Sequence, residues 1–501
     1  MIKNALKEEG KIFTPLNIVN VLLDVAKYVG AERILEHHFM DNSAGDGNIV
    51  VAAISRYCVE YIHVKKGKKG LKEALETYIH AIELNKSNFR QLKKRLDDTA
   101  SMYGVSDVNW DIRLGNSLSI KDYDGKMDYV VGNPPYVRVH NLGKLYDDVK
   151  NYKFADTGMC DLYLAFFELG IRMLNDKGIL SYITPSSWMH STSGANFRKY
   201  LMENGNLSCL IDFGHKQVFK GITTYSMITC IDKSLHNADV KVANFNELDQ
   251  LLNNTCNRLS LSEMNIDGKF YIGNWSELKE LREIKSGNYP KKVVVKNGFA
   301  TLADSVFIDA DDLPRMYCIP VLKASTGKWG TCFYPYDVGG HPIPKEDLLK
   351  PHRFGDSMDD SVEAFLIHHK KELLKGRKDK PDLDWCHFGR TQAINDVYKN
   401  KIAVNTVVKG NDTVKVNYVE AGRGVYSGLY IVGNDCRVDI TVLFALLTEK
   451  RFTDYVAMLK NYKSGGYYSF SSHDLECYLN YRLSRIKEPK IIYIGEENET
   501  A

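Results

Sequence analysis

Seven short apolar runs in the first 240 residues constrain this chain more than any other feature. They fall at 36–41, 79–84, 110–114, 127–131, 178–184, 208–213 and 225–232. Helical patterns lie between several of them, at 16–29, 48–57, 86–98, 161–175 and 195–203. Strands alternating with helices at this spacing predict a doubly wound α/β sheet, because each crossover helix must cover one face of the sheet. No internal repeat or low-complexity tract competes with that reading.

The character changes further along. A polar, Asn-rich stretch is expected to bridge at 241–290, and from 291 short β-like segments follow (KKVVV, SVFI, KIAVNTVV, KVNYV, VYSGLYIV) with Gly-rich turns at Gly339–Gly340 and Gly465–Gly466. Helical patterns near 359–374 and 441–460 make 291–501 a mixed α/β or mainly β second domain. A length of 501 residues suits two or three domains.

The formal charge is +3, with 36 basic and 35 acidic residues up to 290 and 30 and 28 after it. A polyanion would therefore have to meet a local cleft and not a globally basic surface. Ten cysteines without a CxxC pair disfavour a zinc ribbon, a redox motif or a disulfide scaffold, and no metal site is expected. The N-terminus lacks an apolar signal core and no apolar window reaches a membrane span. The expectation is a soluble cytoplasmic protein with no membrane partner.

The sharpest motif is Asn133-Pro134-Pro135-Tyr136, directly after the apolar run 127–131. As plain structure it is a rigid turn leaving a strand. As chemistry, the Asn133 side-chain oxygen and the Pro134 carbonyl can both accept from one exocyclic amino group. Proline locks φ so that the two acceptors converge, and Tyr136 offers a flat face to a planar ring. Upstream, Asp41-Asn42-Ser43-Ala44-Gly45-Asp46-Gly47-Asn48 closes a strand and opens a helix, and Gly45 and Gly47 let a ligand approach the backbone. Neither GxGxxG nor GK[ST] is present, which disfavours NAD and ATP. Glu83 ends the next strand, either as an ordinary strand-end carboxylate or as a grip on ribose hydroxyls. Thr14 reads as an N-cap with Pro15 at the first helical position, a role compatible with ligand binding. Asn116-Ser117 ends the third strand.

In this order the Phe13-Thr14-Pro15 element, the Gly loop, the acidic strand end and the Pro-Pro tetrad resemble the TaqI-like class of DNA adenine-N6 methyltransferases of type II restriction-modification systems. Further matches are Asp161–Phe166 opening a helix, Gly178–Pro185 on a strand, Val218-Phe219-Lys220-Gly221, Val295–Ile308 and His387-Phe388-Gly389-Arg390. The layout is similar to the PstI/BsuBI group of modification methylases, which protect CTGCAG. The resemblance implies a catalytic domain at 1–240 built on an S-adenosylmethionine-dependent methyltransferase sheet, then a target-recognition domain at 291–501. It further implies that Thr14 and Ser43 meet the methionine part of the cofactor, with Pro15 among the cofactor-binding residues. Asp41, Ala44, Gly45 and Gly47 would shape the loop beneath it, Glu83 would hold the ribose, and Asn116 with Ser117 would meet the adenine. The family usually carries Asp where this chain has Asn116. Asn133, Pro134, Pro135 and Tyr136 would hold the target base, with Phe219 packing against it.

A base inside a duplex cannot reach such a pocket and must flip out. Arg390, Gln392, Asn395, Lys409 and Arg423 are of the right chemical type to read base edges in double-stranded DNA. The basic stretch His368–Lys380 is equally a phosphate track or a solvated helix end, and Lys65, Lys66, Lys68 and Lys69 read as a loop. The resemblance implies a monomer partnered only genetically by a restriction endonuclease. The alternatives are an amide or RNA N-methyltransferase using the same tetrad, or a non-catalytic DNA specificity subunit.

Overall fold

The structure is a computed structural model describing residues 14–138, 146–156, 160–219, 224–350, 361–375, 385–410, 412–433 and 438–486. The chain divides into two compact units, Met1–Leu278 and Lys279–Ala501.

In the first unit the elements that frame the site are α1 (Leu16–Val25), β1 (Phe39–Asp41), α2 (Asn48–Lys65), β2 (Ile79–Glu83), α3 (Lys86–Met102), β3 (Asp111–Leu114), β4 (Met127–Gly132), α4 (Tyr146–Val149), α5 (Leu162–Met173), β5 (Leu174–Pro185), α6 (Ala195–Asn204), β6 (Leu207–Asp212), β7 (Ser226–Asp232), β8 (Val240–Asn244) and β9 (Asn257–Leu259). They build a nine-stranded sheet in the order β3-β2-β1-β4-β5-β7-β6-β8-β9. β3, β2, β1, β4 and β5 run parallel, and β7 runs antiparallel to both β5 and β6. Strands covered on both faces lose the alternation of a half-wetted sheet, and β7 is buried at every position. Leu22 and Leu23 of α1 and Val50, Ala53 and Ile54 of α2 pack with Phe39 and Val131 in one core.

The sequence expectations survive with shifted ends. α1 stops at Val25 instead of residue 29, since Lys27 turns into the left-handed region at φ 61°. α2 runs eight residues past the expected 57. Pro15, not Thr14, is the N-cap of α1, with its carbonyl accepting from the Ile18 and Val19 amides. The stretch 241–290 is not one bridge. β8 pairs with β6, and β9 pairs with β8, extending the sheet.

After the hairpin β10 (Asn265–Ile266) and β11 (Lys269–Phe270), the second unit contains β12 (Val293–Asn297), β13 (Cys318–Lys323), β14 (Lys328–Phe333), α7 (Val362–Lys375), β15 (Lys401–Val404), β16 (Val407–Lys409), β17 (Val416–Val419), β18 (Gly424–Tyr426) and β19 (Leu429–Gly433). One sheet has the order β12-β19-β15-β17 and another β14-β13-β18, around a core that includes Phe299, Phe307, Phe333 and Phe388. The unit is mixed α/β. SVFI, expected as a strand, lies in a helical turn at Asp304–Phe307. Asp304 there accepts from the Thr301 hydroxyl, and that local polar bond outweighs the β preference of Val306 and Phe307. The expected helix 441–460 is two helices, Ile440–Thr448 and Lys450–Met458, broken where Glu449 is extended.

Candidate active site

The order of the sheet reverses between β1 and β4, and the crevice at their carboxyl ends is where an open α/β sheet offers a ligand site. Two motifs meet there. The Gly loop leaves β1 at Asp41, and the Pro-Pro tetrad leaves β4 at Gly132. They pack so closely that a Cβ on Gly132 would stand 3.1 Å from Tyr182 Cε1, 3.3 Å from Asp41 Oδ1 and 3.5 Å from Ser43 Oγ.

Each side of the Gly loop is tied down. The Ala44 amide donates to the Ile82 carbonyl at 3.0 Å, and the Ser43 amide donates to Asp41 Oδ1 at 3.1 Å. Glu83 is buried and acts as a strut. Its Oε2 accepts from the Gly45 amide at 2.7 Å and its Oε1 from the Asn85 amide at 2.7 Å. Gly45 has φ 57° with open space where a side chain would project, the cradle a close-lying ligand requires. Gly47 has a different reason: a Cβ there would meet Leu92 Cδ1 of α3 at 2.6 Å, so it serves helix packing. Burial pushes the Asp41 carboxyl up to about 8, against the Ser43 N–H that lowers it, and the negative charges of Glu83 and Asp46 add to the rise.

The tetrad is anchored from two directions. Asn133 Nδ2 donates to Thr14 Oγ1 at 3.1 Å, and Thr14 in turn accepts through its carbonyl from Asn48 Nδ2 at 3.0 Å. The element around Thr14 thus bridges the tetrad and the start of α2. With Nδ2 facing Thr14, the Asn133 oxygen lies on the opposite side. Pro134 is buried and Pro135 half-buried. The Tyr136 hydroxyl donates to the Ile183 carbonyl of β5 at 3.1 Å, and its ring stands edge-on to Phe219 with centroids 6.0 Å apart and planes at 71°. Phe219 is buried; Lys220 and Gly221 lie outside the described residues.

At the end of β3, Ser117 Oγ donates to the Asn42 carbonyl at 2.6 Å, so its hydroxyl braces the Gly loop from below. Asn116 Oδ1 caps the Leu118 amide at 3.2 Å, while Nδ2 donates to Asp148 Oδ2 at 2.7 Å. Sequence reasoning missed Asp148, and it missed the fully buried Asn42, whose Oδ1 accepts from the Tyr182 hydroxyl at 2.9 Å. Arg95, which donates to the Asp46 carbonyl at 2.9 Å, was missed as well. Only Asn42 carried a signal, as an amide inside the loop motif.

In the second unit Arg390, Gln392 and Asn395 share one loop, with the Arg390 backbone bridged to Ala300. Arg390, Gln392 and Asn395 are all exposed. Lys409 and Arg423 lie on other elements. The Lys409 ammonium is 5.8 Å from the Tyr467 ring, and the Arg423 guanidinium lies 5.3 Å from the Trp329 ring while paired to Glu420 at 2.7 Å. The basic stretch from His368 is helical to Lys375, beyond which it leaves the described residues. Asp312, His368 and His369 bring ligand atoms within 4.8 Å, a grouping at which the sequence gave no hint of metal spacing. The nine cysteines among the described residues are free, and no described helix is long and apolar enough to cross a membrane.

Residues 47–219 match the family model described as Eco57I restriction-modification methylase. The type II restriction enzyme and methyltransferase RM.Eco57I of Escherichia coli is 25% identical, over 88% of this chain and 53% of that protein. The type II methyltransferase M.BstVI of Geobacillus stearothermophilus is 25% identical over 61% of each chain. This chain thus spans about half to three-fifths of the length of these curated relatives. Among solved structures, the type IIL restriction-modification enzyme MmeI in complex with DNA superimposes with a TM-score of 0.57 at 12% identity, covering 94% of this chain and 66% of that one. The DrdV–DNA complex gives 0.53 at 11% identity, covering 90% and 52%. These solved structures share the fold described above, a large α/β sheet followed by a mixed α/β unit.

Proposed function

We propose that this chain methylates N6 of an adenine flipped out of double-stranded DNA at a short recognition sequence, using S-adenosylmethionine. The observation that carries the reading is the meeting of the Gly loop, Thr14 and Asn133 at the crevice between β1 and β4. The relatives named as type II methyltransferases and the structural neighbours solved with DNA support it.

The crevice fits the cofactor on its own chemistry. Gly45 leaves open space over its backbone, and the buried Ser43 hydroxyl has no hydrogen-bond partner among the described residues, a polar atom of the kind a ligand satisfies. Thr14, Asp41, Ser43 and the Gly45 backbone would hold the methionine side, with Glu83 at the ribose. When bound, S-adenosylmethionine supplies an electrophilic sulfonium methyl group.

The remaining chemistry belongs to the tetrad. The N6 lone pair of adenine is delocalised into the ring and attacks poorly. Acceptance of its two hydrogens by Asn133 Oδ1 and the Pro134 carbonyl draws density back to nitrogen as it becomes tetrahedral, which stabilises the transition state more than the ground state. Tyr136, pinned through its hydroxyl to β5, presents a fixed ring for the flipped base to stack on, with Phe219 closing the side. Orientation supplies much of the remaining acceleration.

The second unit is the target-recognition module in this reading, with the exposed loop of Arg390, Gln392 and Asn395 as its first candidate for base contacts. Placement among the TaqI-like enzymes, a monomeric cytoplasmic protein and a restriction endonuclease as genetic partner belong to the same proposal. The test is genome-wide detection of modified bases in a methylation-free bacterium expressing this chain beside an Asn133→Ala control. N6-methyladenine at one motif, absent from the control, supports the reading. A soluble chain that binds S-adenosylmethionine yet leaves DNA unmodified would redirect it to an amide or RNA substrate, which needs the same two acceptors.

A further inference from the structure

The end of β3 presents an arrangement that the tetrad and the Gly loop do not explain. Asn116 has both of its amide N–H groups and one acceptor position of its oxygen engaged within the protein. Its two N–H bonds point to Asp148 Oδ2 at 2.7 Å and to Ser119 Oγ at 3.3 Å, and its oxygen accepts from the Leu118 amide at 3.2 Å. A carboxylate can only accept, so the short contact with Asp148 fixes which end of the amide faces it. The anionic acceptor at this strand end therefore comes from α4, 32 residues away in sequence. Asp148 is half-buried, and an ionised carboxylate offers about four acceptor positions, of which Asn116 takes one.

We infer that Asp148 is the residue that recognises the exocyclic amino group of the cofactor's adenine, with Asn116 acting as the positioning residue that holds its carboxylate at the end of β3. This rests on reading the crevice as an S-adenosylmethionine site. The adjoining geometry agrees: Ser117 and the Asn42 carbonyl join this strand end to the Gly loop at 2.6 Å, so a nucleoside whose ribose lies near Glu83 has its base directed to β3. A carboxylate there accepts from a 6-amino purine and repels a 6-oxo purine, which presents an oxygen at the same point.

The experiment measures binding of S-adenosylhomocysteine and of its 6-oxo (inosyl) analogue to the full chain, for the wild type, Asp148→Asn, Asn116→Asp and the double variant. The wild type is expected to prefer the adenosyl compound. Asp148→Asn should weaken adenosyl binding about tenfold to a hundredfold while weakening inosyl binding less or improving it, because the new amide can donate to the 6-oxygen. Restoring a carboxylate with Asn116→Asp in the Asp148→Asn background should recover the adenosyl preference. Equal losses for both compounds in Asp148→Asn would show a merely structural role and overturn the inference, as would an unchanged preference. If the wild type binds neither compound, the cofactor reading itself fails, a result distinct from any pattern among the variants.

Discussion

Asn133 and Thr14, 119 residues apart in the chain, are joined by a hydrogen bond of 3.1 Å from the amide Nδ2 to the hydroxyl Oγ1. In this arrangement the Asn133 nitrogen faces Thr14 and its oxygen lies on the opposite side, the orientation that the proposed acceptor role requires. The bond also ties the segment before α1 to the end of β4, so the site closes only when both ends of the first unit's sheet crevice are in place.

Thr14→Val keeps the shape and removes the acceptor. Without it the amide loses its reason to present nitrogen on that side, and single-turnover methylation of a DNA duplex is expected to slow about tenfold or more. Thr14→Ser restores the hydroxyl and should retain most of the rate. Equal activity of the Val variant would show that the bond does not orient Asn133.

Gly132→Ala places a methyl group among Tyr182, Asp41 and Ser43 at 3.1–3.5 Å, distances at which neighbours must shift. The intrusion falls on the crevice side of β4. Calorimetric binding is expected to show loss of cofactor affinity, while the thermal midpoint moves by only a few degrees, about what 1 kcal/mol produces in a domain of this size.

Asp41 should make both stability and cofactor binding depend on pH. Its folded pKa is raised to about 8, chiefly by burial, above an unfolded value of about 4. Between those values the native state holds a proton that the unfolded state has released, so stability falls as pH rises from about 4 to about 8 and then levels. Asp41→Asn should flatten that slope in urea titrations at several pH values. A bound sulfonium favours the ionised carboxylate, so S-adenosylmethionine should gain affinity from pH 6 to 8 by a larger factor than the neutral thioether S-adenosylhomocysteine.

Tyr136→Phe removes the bond to the Ile183 carbonyl and keeps the ring, whereas Tyr136→Ala removes the stacking face. The expected order of methylation rates is wild type, then Phe within about tenfold, then Ala lower by about a further tenfold or more. Base-analogue fluorescence at the target position would separate loss of base capture from loss of chemistry. Parity between the Phe and Ala variants would sink the stacking role.

In the second unit the buried Asp396 accepts from Lys399 Nζ at 3.0 Å, from the Tyr430 hydroxyl at 2.8 Å and from Lys296. Burial lowers the Lys401 ammonium to about 7, and its three N–H bonds go to the carbonyls of Asp396, Val397 and Lys399 at 2.8–2.9 Å. This network underlies the exposed loop that carries Arg390, Gln392 and Asn395. Asp396→Ala leaves the buried Tyr430 hydroxyl without its acceptor and should cost about 1–3 kcal/mol in denaturant unfolding of this unit. It should also weaken DNA binding with little change in cofactor affinity.

The sequence by itself determined the alternation of strands and helices, the Gly loop at the end of β1 and the Pro-Pro tetrad at the end of β4, because each is a local pattern of apolar period, glycine and proline. It assigned to Thr14 the capping role that belongs to Pro15. The helical turn at Val306–Phe307 and the strands β8 and β9 were not legible, since their conformation is set by a local polar bond or by pairing with a distant strand and not by composition. Only the tertiary structure decided that the crevice lies between β1 and β4, that Asn133 turns its nitrogen to Thr14, and that a carboxylate reaches Asn116 from α4. Those facts depend on which strands become neighbours, and hydrogen bonds between residues 32 to 119 positions apart leave no periodicity for a sequence to show.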